Sequence, residues 1–312
     1  MKIKSIKKID NKEDVYNLRI KSISGNNHNY IANGILVSNC HQAQSTSIKK
    51  IMSLCTDSKW RFGLSGTITN KSSAEYLTIQ QFLGPLIMEI SPKFLFDNKY
   101  ATPVLVKVVK MDWIDPEIKE KLSNLKKSKT DIDGKDLFNI EKKLVIGSEK
   151  RLSYIVNFVN KVSKNSLVLF NSVGEGYGKR IYDGIREISD DKEVFYIDGD
   201  TNPDTREIFI NKMEEGENKI LVASFGTLST GISIKKIHNI FLTESYKSEI
   251  VIKQTIGRGM RLSEGKEIVN IIDFVDDFST EESTNYLMQH SKERIEIYKR
   301  EKYQYKIYEV KL

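Results

Sequence analysis

The sequence is short of cysteine, with two in 312 residues. That excludes a disulfide framework and fits a reducing cytoplasm. No apolar run approaches the length of a membrane span, so no membrane partner is expected. The lysine-rich first residues have no apolar segment behind them, which excludes a signal peptide. Repeats and low-complexity stretches are missing, and proline numbers only five. A phosphate-binding loop is missing as well. "GEGYGKR", Gly174 to Arg180, suggests one, but G-x-x-x-x-G-K-[ST] requires glycine at Val173 and Ser or Thr at Arg180. What remains is 39% hydrophobic and 29% charged, a soluble globular composition long enough for two or more domains.

Net charge is +7, which by itself suggests a polyanionic partner. The excess is uneven. Residues 1–39 hold seven Lys/Arg against three Asp/Glu, leaving an excess of only three for the rest of the chain. Basicity is therefore poor support for nucleic acid and better support for an acidic partner of the first segment.

Up to residue 39 the pattern is of short strands and turns. "KIKSIKKI", "VYNLRI", "NYIA" and "GILVS" are separated by Asn/Asp/Gly clusters. Ile48, Ile51, Met52 and Cys55 then fall at helical spacing, and "WRFGLSG" reads as a strand entering a tight turn. From about residue 150, apolar strands ("SLVLFN", "EVFYI", "KILVAS", "HNIFLT", "IVNIIDF") alternate with amphipathic helices. One of these helices has Asn202 as its expected cap and Pro203 as its first residue. Such alternation predicts an α/β fold with a parallel sheet covered on both faces. The tail from Glu281 reads as a charged helix.

At the change of pattern stands Ser38-Asn39-Cys40-His41. An Asn amide can attack its own carbonyl, while the following Cys offers a thiol nucleophile. The series "VYNLRI…NHNYIANGILVSN" before Cys40 resembles the two C-terminal sequence blocks of inteins. The chain starts a few residues upstream, as the C-terminal fragments of split inteins do. The resemblance implies a short β-rich HINT-type fragment whose N-terminal counterpart lies on another chain. It also implies the chemistry. Cys40 would accept the upstream segment from a thioester, and Asn39 would cyclise and cut its own peptide bond. His28 would assist proton transfer; a surface-loop histidine is the plain alternative. Asn17 stands where the family usually has Asp, and Ser38 where many members have His.

Without residues 1–39 the chain begins "CHQAQS". Behind an Asp-Glu it would resemble the DExH motif of superfamily 2 helicases, with His41 in that motif. Ser65-Gly66-Thr67 is similar to motif III, "LVLFNSVGEG" to motif IV and "SFGTLSTGISI", with Thr230-Gly231, to motif V. "QTIGRGMR" is similar to motif VI, with Gln254, Gly257, Arg258 and Arg261 matching Q-x-x-G-R-x-x-R. The run through motifs V and VI, together with the ending "RIEIYKREKYQYKI", most resembles UvsW-type phage helicases. These implications follow: a RecA-like second domain complete at 146–280, a partial first domain at 40–95, a connecting segment at 96–145 and a helical tail at 281–312. ATP would bind at His41, Ser65, Gly66, Thr67, Gln254 and Gly257, with Arg258 and Arg261 catalytic, and Thr230 and Gly231 on DNA. Mg²⁺ would be held mainly by an N-terminal half-helicase carrying the other intein fragment, and no metal ligand is expected in this chain. The host cytoplasm would be its compartment.

The residues support part of this independently. Arg258 and Arg261, three apart, would share one helix face, where two guanidiniums can meet a triphosphate. A solvated basic helix end, and for Thr230-Gly231 a simple turn, are the alternatives. Two rival functions stand beside the helicase reading. One is a half-helicase that never splices and only binds nucleic acid; the other is a nucleotide-binding regulatory domain.

Overall fold

The computed structural model describes residues 73–127, 134–229, 234–281 and 284–312. Upstream it also describes 7–8, 16–17, 30–32, 35–39, 49–50, 53, 60–65 and 67. The chain divides into two compact units, Met1–Glu89 and Ile90–Leu312.

The larger unit opens with α2 (Pro92–Asp97), β6 (Val104–Asp112), α3 (Pro116–Lys127), α4 (Gly134–Gly147) and α5 (Glu149–Lys161). Strand and helix then alternate through β7 (Ser166–Phe170), α6 (Tyr177–Ile188), β8 (Val194–Ile197) and α7 (Pro203–Glu215). Next come β9 (Ile220–Ser224), α8 (Phe225–Ser229), β10 (Asn239–Leu242), α9 (Glu249–Gly259) and β11 (Val269–Asp277). The unit closes with α10 (Tyr286–Arg300) and β12 (Gln304–Lys311). Seven strands form one sheet in the order β12-β6-β11-β10-β7-β9-β8, and every pairing is parallel.

The central strands β7, β9 and β10 are buried at every position, as a sheet covered on both faces requires. On one face Met213 of α7, Ile252 and Ile256 of α9 and Tyr298 of α10 pack against Leu169, Leu221, Ile240 and Ile271. On the other, Ile155 and Val159 of α5 and Ile181 and Ile185 of α6 pack against Val168, Phe170, Val222 and Phe241. The α/β parallel-sheet expectation is met here. Asn202 caps α7 through its side-chain oxygen, which accepts from the Asp204 N–H at 2.9 Å, and Pro203 is the first helical residue.

"GEGYGKR" has a packing explanation. Gly176, at φ +66°, caps the N-terminus of α6 in the left-handed region. A Cβ on Gly178 would lie 2.3 Å from Phe170 Cζ, so glycine is needed there to let α6 settle on β7. Gly178→Ala should destabilise the unit by about 1–3 kcal/mol through overpacking. A lowered thermal midpoint checks this; an unchanged one would contradict the close approach.

Two stretches differ from the sequence reading. The span taken as a connector contributes β6, whose register runs beside both β11 and β12. The tail is helical only through Arg300 and then returns as β12 at the sheet edge. The physical reason is common to both. Parallel neighbours need long crossovers, so β6 meets partners that lie 160 or more residues away in the chain.

In the smaller unit β1 (Lys7–Lys8) pairs antiparallel with β2 (Tyr16–Asn17). β3 (Tyr30–Ala32) pairs antiparallel with β4 (Ile35–Asn39), and β4 pairs parallel with β5 (Trp60–Leu64). Residues 49, 50 and 53 are helical, while Ile48, Ile51, Met52 and Cys55 lie outside the described residues. Helix α1 (Ala74–Leu83) begins at Ser73, whose hydroxyl accepts from the Tyr76 N–H at 3.1 Å.

Candidate functional site

Helix α9 carries Gln254, Gly257 and Arg258, and ends at Gly259 with Met260 as its cap. Arg261 therefore lies just beyond the helix, where the sequence reading had it on the same helical face as Arg258. The two guanidiniums are still brought together. Arg258 is half-buried and its pKa is pushed down to about 10, by burial first and then by the charge of Arg261. Burial also lowers Arg261, with the Glu214 carboxylate opposing the shift. Both stay charged near neutrality. A Cβ on Gly257 would meet nothing within 4 Å, so packing within this chain does not demand glycine there. Gly259 is different. A Cβ there would lie 2.9 Å from Ile240 Cδ1 and 3.0 Å from Val269 Cγ1, so glycine lets the helix end sit on the sheet.

The backbone around Arg261 is held from several directions. Thr102 donates its N–H to the Met260 carbonyl at 2.7 Å and its hydroxyl to the Arg261 carbonyl at 3.2 Å. Lys266, buried, donates to the carbonyls of Gly259 at 2.6 Å, Arg261 at 2.9 Å and Lys235 at 2.8 Å. Lys235 directly follows the motif V stretch, and its N–H is accepted by the Glu214 carboxylate at the end of α7. Thr102, Lys235 and Met260 all precede or adjoin the N-terminal ends of β6, β10 and β11. Motif V therefore starts at the C-terminal end of β9 and finishes at the opposite edge of the sheet.

A second cluster occupies the C-terminal edge. Glu244, just after β10, accepts from the N–H groups of Asn171 and Ser172 at 2.7 and 2.8 Å and from the Ser172 hydroxyl at 2.5 Å. That shapes the start of the motif IV loop after β7. Beside it Arg151 is fully buried. Its guanidinium donates to both Asp276 oxygens at 2.7 and 2.8 Å, to the Thr243 carbonyl at 2.8 Å and to the Tyr177 hydroxyl at 2.5 Å. Burial opposes its charge, yet Asp276 holds its pKa above the ordinary guanidinium value. Burial likewise pushes Tyr177 up to about 12.

In the smaller unit Ser65 donates to the Thr67 carbonyl at 2.6 Å and accepts from the Thr67 N–H at 3.1 Å. Asn39 is the last residue of β4. His28, Cys40, His41, Gly66, Thr230 and Gly231 lie outside the described residues. Among the described residues no group of three His, Cys, Asp or Glu could hold a metal ion, and no helix is long and apolar enough to cross a membrane.

Sequence reasoning missed Lys266, Glu214, Thr102, Glu244, Arg151 and Asp276. One signal was present: Asp273 and Asp276 interrupt the apolar strand "VNIIDFVDD", and buried acids of this kind require cationic partners.

Residues 149–263 match the family described as the helicase conserved C-terminal domain. This part of the chain is a helicase C-terminal domain. Over 279 residues the chain is 30% identical to the ATP-dependent DNA helicase UvsW of Enterobacteria phage T4, covering 85% of this chain and 52% of that protein. The crystal structure of T4 UvsW matches at a TM-score of 0.54 and 29% identity, covering 89% of this chain and 54% of that one. A fragment of a putative HsdR subunit of a type I restriction enzyme from Vibrio vulnificus shares the fold at a TM-score of 0.61 and 15% identity, covering 89% and 48%. The helicase domain and the homology to UvsW-like helicases agree with the resemblance in the motifs. The chain spans about half the length of that curated relative.

Proposed function

We propose that this chain supplies the C-terminal half of an ATP-dependent DNA helicase of the branch-migration type, and that residues 1–39 join it to an N-terminal half by protein trans-splicing. In this reading Arg258 and Arg261 meet the triphosphate, with Gln254 and Gly257 beside it. His41, Ser65, Gly66 and Thr67 complete the first domain's share. The motif V stretch at Thr230 and Gly231 contacts DNA phosphates. Magnesium and the attacking water belong to the Asp-Glu and phosphate loop of the other half.

One observation carries the catalytic part. The fold holds two guanidiniums close enough to depress Arg258, on a helix end anchored by Thr102 and Lys266. Two guanidiniums at one half-buried place concentrate positive charge, and their planar forks suit phosphate oxygens. The splicing part is supported by the order of residues up to Asn39-Cys40 and by the basic first segment, which an acidic counterpart would attract.

A second reading has its own support. β4 runs parallel to β5 and directly precedes Cys40, as a strand built into the helicase's first domain would. In that case residues 1–39 never leave, and the chain is a nucleic-acid-binding half-helicase.

Mixing the chain with its N-terminal half separates the two. Intact mass spectrometry should show a ligated product continuing from Cys40. Asn39→Ala should stop release of residues 1–39, and Cys40→Ala should abolish ligation. Phosphate release with DNA should be absent from the isolated chain and appear with the ligated product. Normal ligation by Asn39→Ala would overturn the splicing assignment, and steady turnover by the isolated chain would overturn the split-enzyme reading.

A further inference from the structure

We propose that Lys266 is a positioning residue that locks the motif VI arginines to the exit of motif V, so that Arg261 and Lys235 move as one body. The inference rests on the assignment of Arg258 and Arg261 to the triphosphate.

Its geometry is specific. The ammonium has three N–H donors, and three carbonyls surround it, those of Gly259, Arg261 and Lys235. Donor and acceptor numbers match only while the group is charged. The turn that returns Lys266 to the helix end is local: its N–H donates to the Ser263 carbonyl at 3.2 Å, and Gly265 takes φ +69°, a turn position that favours glycine. Lys235 is clamped on both sides of its residue, by Glu214 at the N–H and by Lys266 at the carbonyl. A shift of the motif V exit, as on binding DNA phosphates, is thereby passed to the carbonyl of Arg261 itself.

The clamp is sensitive to pH. Burial pushes the Lys266 pKa down to about 8, with the Glu214 charge opposing the shift and the Arg261 charge adding to it. His238, ahead of β10, is held below its ordinary value, first by burial, with the charges of Lys164 and Lys266 adding to it. It is therefore already neutral where Lys266 titrates. Above about pH 8 the neutral amine keeps two donors and turns a lone pair on the third carbonyl, which loosens Arg261 without removing its charge.

The experiment is a pH series of DNA-stimulated ATP turnover on the assembled helicase, for the wild type, Lys266→Met, Lys266→Arg and Arg261→Ala. Wild-type kcat should fall as pH rises through about 8, with KM for ATP nearly constant, because the loss is in a transition-state contact. Lys266→Met should lower kcat about 10- to 100-fold at neutral pH, the scale of a small misplacement of a catalytic group, and should lack the alkaline fall. Lys266→Arg, which stays charged, should retain more activity than Lys266→Met and stay level above pH 8. A wild-type kcat unchanged from pH 7 to 10 would overturn the proposal even if Lys266→Met failed to fold. An inactive Arg261→Ala beside a fully active Lys266→Met would overturn the positioning role alone. Full activity in Arg261→Ala would instead remove the triphosphate assignment on which it rests.

Discussion

On the proposed function, replacing Arg261 with alanine in the assembled helicase should reduce ATP turnover by roughly 10³-fold or more, the size associated with an arginine that stabilises the charge of phosphoryl transfer. DNA binding should change far less, since that term comes from many phosphate contacts. The expectation follows from the site. Arg261 sits immediately beyond α9, with its carbonyl held by both Thr102 and Lys266, so its backbone is placed before any nucleotide arrives. Preorganised charge of this kind acts most strongly where water is excluded, and burial has already lowered its pKa. Arg261→Lys should not restore turnover, because an ammonium lacks the planar fork that meets two oxygens. Steady-state phosphate release under saturating DNA measures it. Near-normal kcat in Arg261→Lys would show that the contact is only a point charge, and near-normal kcat in Arg261→Ala would show no contact at all.

The second large effect is on stability. Asp276→Ala should destabilise the larger unit by about 3–5 kcal/mol, the cost of stranding a buried charge. A domain of this kind has only about 5–15 kcal/mol in total, so the variant should be near unfolding at growth temperature. Three donors lose their acceptor together: two of the Arg151 guanidinium and the Trp113 indole N–H, 3.0 Å from the carboxylate. The loss should reach motif IV too, because Thr243 and Glu244, next to this network, hold the ends of β7 and β10 together. Arg151→Met combined with Asp276→Leu should recover much of the stability, since both charges are then gone. Chemical denaturation of the wild type, Arg151→Met, Asp276→Leu and the double variant gives the cycle, with Asp276→Ala measured beside it. A double variant no more stable than Asp276→Ala would show that the network acts through geometry rather than through charge.

The larger unit's helices and strands from residue 150 were readable because each carries its own local signature. β7 and β9 are short apolar runs, and α7 announces itself with Asn202 and Pro203. The glycines and arginines of "QTIGRGMR" stand out for the same reason, at fixed spacing on one segment. β6 was not. Its lysines at 107 and 110 disguise a sheet strand, and Lys110 is accommodated by Asp277, 3.1 Å away on β11, and by Glu309, 3.3 Å away on β12. β12 was hidden likewise, since "QYKIYEVK" is mostly exposed at an edge and continues a charged helix.

By itself, then, the sequence determined the alternation of strands and helices from residue 150, the match of Gln254, Gly257, Arg258 and Arg261 to a Q-x-x-G-R-x-x-R spacing, and the failure of "GEGYGKR" as a phosphate loop. All of these depend on neighbours a few positions apart. Only the tertiary structure decided that β6 and β12 enter the sheet, that Gly178 serves packing against Phe170, and that α9 ends two residues before Arg261. It alone decided that Lys266 ties Lys235 to Arg261. A buried cation is tolerable only where carbonyls or carboxylates converge on it, and in a parallel sheet those partners come from segments far apart in the chain. No local pattern records such a meeting.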